Sequence, residues 1–134
     1  MAGVDVRVDT PRYVPLKVEM TVCVRREYFR SDVKRALLER FSSTVQPDGR
    51  RGLFHPDEFS FGQPVYLSRL YAAASEIDGV ETVEVTTFER QGTPDPGPLA
   101  AGKLEFGRLE IARLDNDPSL PERGVFSLTM EGGT

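Results

Sequence analysis

Residues 46–80 read QPDGRRGLFHPDEFSFGQPVYLSRLYAAASEIDGV, and we expect the rest of the chain to be organised around this stretch. It begins with Pro47-Asp48-Gly49, which has the residues of a β-turn because proline presets φ and glycine accepts positive φ. A loop with large apolar side chains follows, at Leu53, Phe54, Phe59 and Phe61. The stretch closes with a helical pattern, so it joins a tight turn, an apolar loop and a helix.

The helix is marked by its apolar spacing and by its two ends. Pro64 suits the first helical position, where the missing N–H costs nothing, and Gly79 is a natural left-handed stop. Apolar side chains recur between them at helical spacing, at Leu67, Leu70, Tyr71, Ala74 and Ile77. This spacing predicts a helix with one buried face.

The apolar side chains of the 53–61 loop lie outside any clear periodic element. Each is worth ~1.5–3 kcal/mol when it is removed from water, so they are expected to be buried somewhere. They either roof the core of this domain or form a docking patch for another protein.

The remaining elements come from the rest of the chain. Residues 14–24, VPLKVEMTVCV, alternate apolar and polar side chains, which predicts a strand with one buried face. An amphipathic helix is predicted over 32–42 with Ser31 as its N-cap, and a second long strand over 80–88. The pattern also predicts short strands at 59–61, 104–106, 108–114 and 125–130, and a turn-rich loop at 92–98.

The order β-α-(β)-α-β-β-β predicts an α+β fold. We expect two helices packed on one face of a mostly antiparallel sheet, a two-layer sandwich of the ferredoxin-like type. Residues 1–13 are interpreted as an extended lead-in and residues 14–134 as a single α+β domain. The second sheet face would carry polar side chains and be solvated or covered by a partner; they are Lys17, Glu19, Thr21, Glu84 and Thr86.

Composition narrows the class of protein. The chain has 134 residues, which fits one domain, and a net charge of −4, which argues against a nucleic-acid-binding module. Cys23 is the only cysteine, so no internal disulfide forms, as in proteins made in a reducing compartment. The N-terminal sequence lacks the apolar core of a signal peptide, and no apolar run approaches the ~20 residues that span a bilayer. The sequence therefore predicts a soluble protein without membrane insertion.

Catalytic signatures are weak. His55 precedes Asp57 and Glu58, and a histidine near two carboxylates is compatible with a metal site or an acid–base pair. The spacing of these residues favours a loop histidine with local hydrogen bonds. Cys23 paired with His55 would be a nucleophile, yet Cys23 lies within a strand, where a packed thiol is expected.

Two loops raise binding alternatives. Asp115-Asn116-Asp117 resembles the start of a calcium loop, but Leu120 stands where that loop needs glycine and Phe126 where it needs glutamate. An Asx-type turn before Pro118 is the better interpretation. In the first loop, Arg50 and Arg51 either belong to a solvated turn or grip a carboxylate on a partner chain.

One resemblance covers nearly the whole chain. The run from PDGRRGLFHPDEFSFGQPVYLSRLYAAASEIDGV to ETVEVTTFER is similar to the C-terminal part of baseplate J-like proteins, the baseplate assembly proteins of contractile phage tails and phage-derived injection particles. YVPLKVEMTVCV and YFRSDVKRALLERFSS support the resemblance upstream, and GRLEIARLDNDPSLPERGVFSLTMEGG supports it downstream.

The resemblance implies a structural role. Such proteins are wedge subunits that surround the baseplate hub and link it to the sheath-initiating ring, so this chain would be no enzyme and would use no cofactor or metal. It would be made in the cytoplasm, join a tail or tail-like particle, and contact other wedge and hub subunits but no nucleic acid or small-molecule substrate. Family members are longer, so the chain matches only their C-terminal part.

Within the shared loop, the interface candidates are Arg50, Arg51, Phe54 and His55. Two other functions remain open. The first is a small ligand-binding module of the ferredoxin-like type, and the second is a hydrolase that uses His55 with Asp57 or Glu58.

Overall fold

A computed structural model describes residues 12–134. Its strands and helices in chain order are β1 (Arg12–Val24), α1 (Arg30–Arg40), β2 (Val65–Tyr66), α2 (Leu67–Ser75), β3 (Val80–Arg90), α3 (Gly97–Ala101), β4 (Lys103–Leu104), β5 (Glu110–Arg113) and β6 (Val125–Gly132). Two short 3-10 helices cover Pro56–Glu58 and Pro121–Arg123. The predicted α+β class is confirmed.

The central strand of the main sheet is β1, because both of its sides are paired. β3 runs antiparallel along one side, from Leu16 opposite Arg90 to Val24 opposite Val80. On the other side, β5 lies parallel to the first residues of β1, and β6 lies parallel to Lys17–Val24. The long alternating stretch of the sequence therefore becomes the strand that organises the sheet.

The sheet is mixed, and the expectation of a mostly antiparallel sheet is corrected. After β3, residues 91–109 carry the chain past β1 to its opposite side, where β5 and β6 run in the same direction as β1. Parallel pairing needs a long connection of this kind, whereas strands joined by tight turns pair antiparallel.

Two helices cover one face of this sheet, as predicted. α1 buries Val33 and Leu37, while α2 buries Leu70, Ala73 and Ala74 in the same core as the even-numbered side chains of β1. Small alanine side chains let α2 approach the sheet closely. These helices and β1 supply a large part of the apolar core, to which the 53–59 loop and the other strands also contribute. Apolar burial is the main favourable term in folding.

The helix starts differ from those predicted. α1 begins at Arg30, and its N-cap is Phe29, which makes no side-chain capping bond, instead of Ser31. α2 begins at Leu67 because Val65 and Tyr66 first pair with β4 as a short strand. The Leu67 N–H then donates to the Gly102 carbonyl at 2.9 Å, so Pro64 precedes the short strand and does not open the helix.

Several smaller expectations are also settled. Residues 59–61 form no strand, since Phe59 and Ser60 are irregular and Phe61 lies in a turn. α3 begins inside the predicted 92–98 loop. The strands expected around 104, 108–114 and 125–130 are present as β4, β5 and β6. The expected lead-in over 1–13 lies outside the described residues, apart from Arg12 and Tyr13, which belong to β1.

The second face of the sheet is polar, as expected. Thr21 pairs with the exposed Glu84, and the Thr86 hydroxyl donates to the Glu19 carbonyl at 3.3 Å. Lys17 lies on the same face. Among residues 12–134, no helix is long and apolar enough to cross a membrane.

Candidate functional site

The segment 45–51 folds back on itself, and we call it the arginine hairpin. Val45 pairs with Arg51, and the Gln46 N–H donates to the Arg50 carbonyl at 2.7 Å. At its tip, Gly49 has a φ of 87° and donates to the Gln46 carbonyl at 2.8 Å. The predicted turn is confirmed, and its backbone bonds hold the two arginines on a defined scaffold.

Backbone bonds fasten the hairpin to the end of α1. The Leu53 N–H donates to the Arg40 carbonyl at 2.7 Å, and the Phe54 N–H donates to the Ser42 carbonyl at 3.2 Å. Gly52 lies directly against Ser42, and a Cβ at position 52 would overlap the Ser42 carbonyl oxygen. The chain after the hairpin therefore runs in close contact with the chain after α1.

Most of the apolar loop is core. Leu53, Phe54 and Phe59 are buried. The ring of Phe54 lies 5.8 Å from Phe59 and 6.4 Å from Phe41, which stacks on Phe126 of β6 at 4.9 Å. The two alternatives for this loop are burial in the core of the domain and a docking patch. These three side chains are buried in the core.

Phe54 and Phe61 differ in their exposure. Phe54, expected at a partner interface, is only 3% exposed, so its ring cannot face a partner while the core is closed. Phe61 is 52% exposed and remains available for contact. The sequence could not separate them because both are aromatic residues in an aperiodic loop.

The two arginines of the hairpin have different surroundings. Arg51 bonds Glu58 at 2.7 Å and Asp57 at 3.4 Å, so it ties the hairpin to the 3-10 helix. Glu58 also meets Arg69 of α2 at 3.5 Å. The Arg50 side chain is 87% exposed, and its one ion pair within residues 12–134 is with Asp48, at 3.6 Å, which leaves its guanidinium largely free for a partner.

His55 has the local role that its sequence context favoured. Its Nδ1 accepts a hydrogen bond from the Asp57 backbone N–H at 3.1 Å, which caps the 3-10 helix. The Glu58 carboxylate is engaged by arginines and is not placed as a catalytic partner of His55. Within residues 12–134, no group of three or more His, Cys, Asp or Glu side chains is arranged to hold a metal ion.

Cys23 is not set up as a nucleophile. Partial burial, and then the hydrogen bond from its thiol to Glu81 at 3.6 Å, raise the pKa of Cys23. A raised pKa keeps the thiol protonated at neutral pH and lowers its reactivity. The Cys23 thiol is bonded to Glu81, and the Nδ1 of His55 is engaged within its own loop.

The Asp115-Asn116-Asp117 segment is an Asx-type turn, as expected. Asp117 accepts from the Ser119 N–H at 2.9 Å, and Asn116, at a φ of 51°, accepts from the Phe126 N–H at 3.1 Å. Asp115 is paired with Arg113 at 2.9 Å. All three side chains are therefore engaged in local structure.

A cleft of about 840 Å³ lies between the arginine hairpin and the C-terminal ends of α1 and α2. Charges of both signs line it, at Glu39, Arg40, Asp48, Arg50, Arg51, Glu58 and Glu76. Arg40 of α1 meets Glu76 beyond α2 at 3.6 Å on its floor. This cleft could not be predicted from the sequence, because its lining residues come from four separate segments.

The sequence also missed a strong ion pair at the end of β3. Arg90 holds both oxygens of Glu110, at 2.8 and 2.9 Å, and the Gly107 N–H donates to the same carboxylate at 2.6 Å. The guanidinium of Arg90 also lies over the Phe106 ring, at 5.2 Å. The Arg90 bond, followed by the Gly107 bond, lowers the pKa of Glu110 to about 2.

Comparison of the chain with protein families, with curated proteins and with solved structures finds no match.

Proposed function

We propose that the chain is a structural, wedge-type component of the baseplate of a contractile phage tail or phage tail-like injection particle. It acts through contacts with neighbouring wedge and hub subunits, without catalysis or cofactor. The sequence resemblance motivates this proposal. The observation that carries it is the arginine hairpin, which presents an exposed guanidinium on a fixed backbone.

The hairpin suits protein contact because its order is already present before a partner binds. Backbone bonds fix its two arms, and Arg51 ties it to Glu58 at 2.7 Å. Fixing a loop in advance removes part of the entropy cost of association. Arg50 can then meet a partner carboxylate with two parallel hydrogen bonds, a geometry specific to arginine.

The proposed interface comprises Arg50 and Arg51, with His55 behind them. Phe54 supports it from the core, since its ring packs against Phe41 and Phe59. The cleft beside the hairpin adds a concave surface with carboxylates at Glu39 and Glu76. A partner segment with one acidic and one basic side chain would complement both parts.

The double variant Arg50→Ala/Arg51→Ala tests this proposal. We expect the fold to persist, because neither side chain is buried, and assembly with neighbouring baseplate subunits to weaken by at least about tenfold. Co-purification with the wedge subunits and electron microscopy of particles measure the effect, and circular dichroism checks the fold.

Arg35→Ala is the matched control, since Arg35 is an exposed arginine of α1 that pairs with Asp32 on the surface, at 3.4 Å. Normal particle assembly by the double variant would refute the proposed role of the hairpin. The single variant Arg50→Ala separates partner binding from the structural pairing of Arg51.

The cleft favours a second candidate, a small ligand-binding module. Its volume of about 840 Å³ lies within the range of ligand sites, and its three guanidinium groups, which share the cleft with four carboxylates, are its contacts for an anionic group of a ligand. A thermal-shift screen with carboxylates and phosphate esters tests this candidate. A specific shift that Arg40→Ala removes would support it, and no shift with any compound would count against it.

A further inference from the structure

The outer side of β6 is a strand edge without a partner strand among residues 12–134. β6 pairs with β1 along its inner side only. The Phe126 N–H points to the outer side, because it donates to the Asn116 side chain at 3.1 Å. Backbone groups alternate sides along a strand, so those of Leu128 and Met130 also point outwards.

The two edges of the sheet differ in protection. β3, at the other edge, has register shifts against β1 near Met20 and Val24, and it carries the exposed charge of Glu84. Bulges and charges of this kind prevent strand addition. β6 pairs with β1 in one continuous register and has Glu131 as its single charged residue and no proline.

An apolar strip lies beside the β6 edge. Leu128 and Met130 are partly buried against the core on the helix-covered face. α1 lies above them, with Phe41 stacked on Phe126 at 4.9 Å and Arg40 turned towards Glu76 at 3.6 Å.

The same contacts place Leu38. Successive helical residues are about 100° apart, so Leu38 and Arg40 lie on opposite flanks of α1. Arg40 faces α2, and Leu38 therefore lies on the flank towards β6. Leu38 is 36% exposed and extends the strip above the edge.

We propose that β6 pairs antiparallel with β6 of a second copy of this chain, around a two-fold axis through Thr129. This register joins outward-pointing residues to each other, with Leu128 opposite Met130 of the second copy. Thr129 faces its own equivalent, and Ser127 faces Glu131 of the second copy, so no like charges are opposed. The apolar layer continues across the axis, as a self-complementary two-fold interface requires.

A foreign strand or another segment of the same chain would also pair with the backbone groups of this edge, and the experiments below distinguish both from a second copy. A second β6 in the opposite direction complements this edge, because Leu128 then lies opposite Met130 and the Glu131 carboxylate lies opposite the uncharged Ser127. The pairing does not involve the arginine hairpin, and it is therefore independent of the proposed function.

Sedimentation velocity of the full chain over a range of concentrations tests the proposal. We expect a monomer–dimer equilibrium that Thr129→Lys weakens by at least about tenfold, because two lysines would oppose each other at the axis. Thr82→Lys is the control, since Thr82 is an exposed threonine on the same sheet face but in β3. It should leave the equilibrium unchanged.

Cross-linking locates the interface. In a Cys23→Ser background, Thr129→Cys should form a disulfide-linked dimer under mild oxidation, because residues facing each other in a non-hydrogen-bonded pair have Cα atoms about 4.5 Å apart. Thr82→Cys in the same background should not. A monomer at all concentrations, a dimer insensitive to Thr129→Lys, or a Thr129→Cys variant that does not cross-link would each overturn the proposal. So would a monomer whose Leu128 and Met130 amides resist hydrogen exchange, since another segment would then cover the edge.

Discussion

At the scale of single residues, the space around a position can decide which side chain the fold tolerates there. Gly52 shows this, because it is required for space and not for a left-handed backbone. It lies against the Ser42 carbonyl where the chain after the hairpin passes the chain after α1. The Gly52 N–H donates to the Thr44 carbonyl at 3.0 Å, so the two segments share a backbone bond at this point.

Gly52→Ala should destabilise the fold by about 3 kcal/mol, because the added methyl group overlaps backbone and forces the two segments apart. Urea unfolding followed by circular dichroism measures the change. Gly97→Ala is the matched control, since the nearest atoms to a Cβ there belong to the side chain of Asp95, which accepts from the Gly97 N–H at 2.9 Å and can shift, so its effect should stay within about 1 kcal/mol. Equal stabilities of the two variants would contradict this account.

At the scale of elements, the pair Arg90–Glu110 connects strands on opposite sides of β1. Arg90 lies opposite Leu16 at the end of β3, and Glu110 lies opposite Arg12 at the start of β5. The bidentate contact therefore closes the end of the sheet at which β1 begins. Arg90 also donates to the Glu105 carbonyl at 2.9 Å, so the loop before β5 is held at the same place.

The Arg90–Glu110 pair makes the free energy of unfolding depend on pH in the acid range. The pKa of Glu110 falls from 4.5 to about 2 in the folded protein, so its contribution is complete above about pH 4.5 and is lost as the pH falls towards 2. Glu110→Gln should cost on the order of 1 kcal/mol at pH 7, since solvent partly screens the pair, and nearly nothing at pH 2. Urea unfolding between pH 2 and 7 measures this, with the exposed Glu84→Gln as control. An equal cost at both pH values would contradict the assignment.

At the scale of the whole molecule, the sequence predicted the elements better than their arrangement. The alternation of residues 14–24 identified the central strand because one face of that strand is buried along its full length. The strand directions could not be predicted, because they depend on the path of residues 91–109 around β1. The α2 start was wrong for a similar reason, since Val65 and Tyr66 pair with the distant β4.

The candidate site was predictable in part. The turn at Pro47-Asp48-Gly49 and the local role of His55 follow from residues close in sequence, and both are confirmed. The cleft and the burial of Phe54 depend on contacts between distant segments, which no local pattern reports. Arg50 and Arg51 are adjacent in sequence, yet only the fold shows that one is exposed and the other paired.

The row of rings from Phe59 through Phe54 and Phe41 to Phe126 has a mechanical consequence. It connects the base of the arginine hairpin to β6 through close-packed side chains, which transmit displacement because protein interiors have low compressibility. We therefore expect a force applied at the hairpin to be carried by the core and by the long pairing of β1 with β6 together, so that the domain moves as one unit.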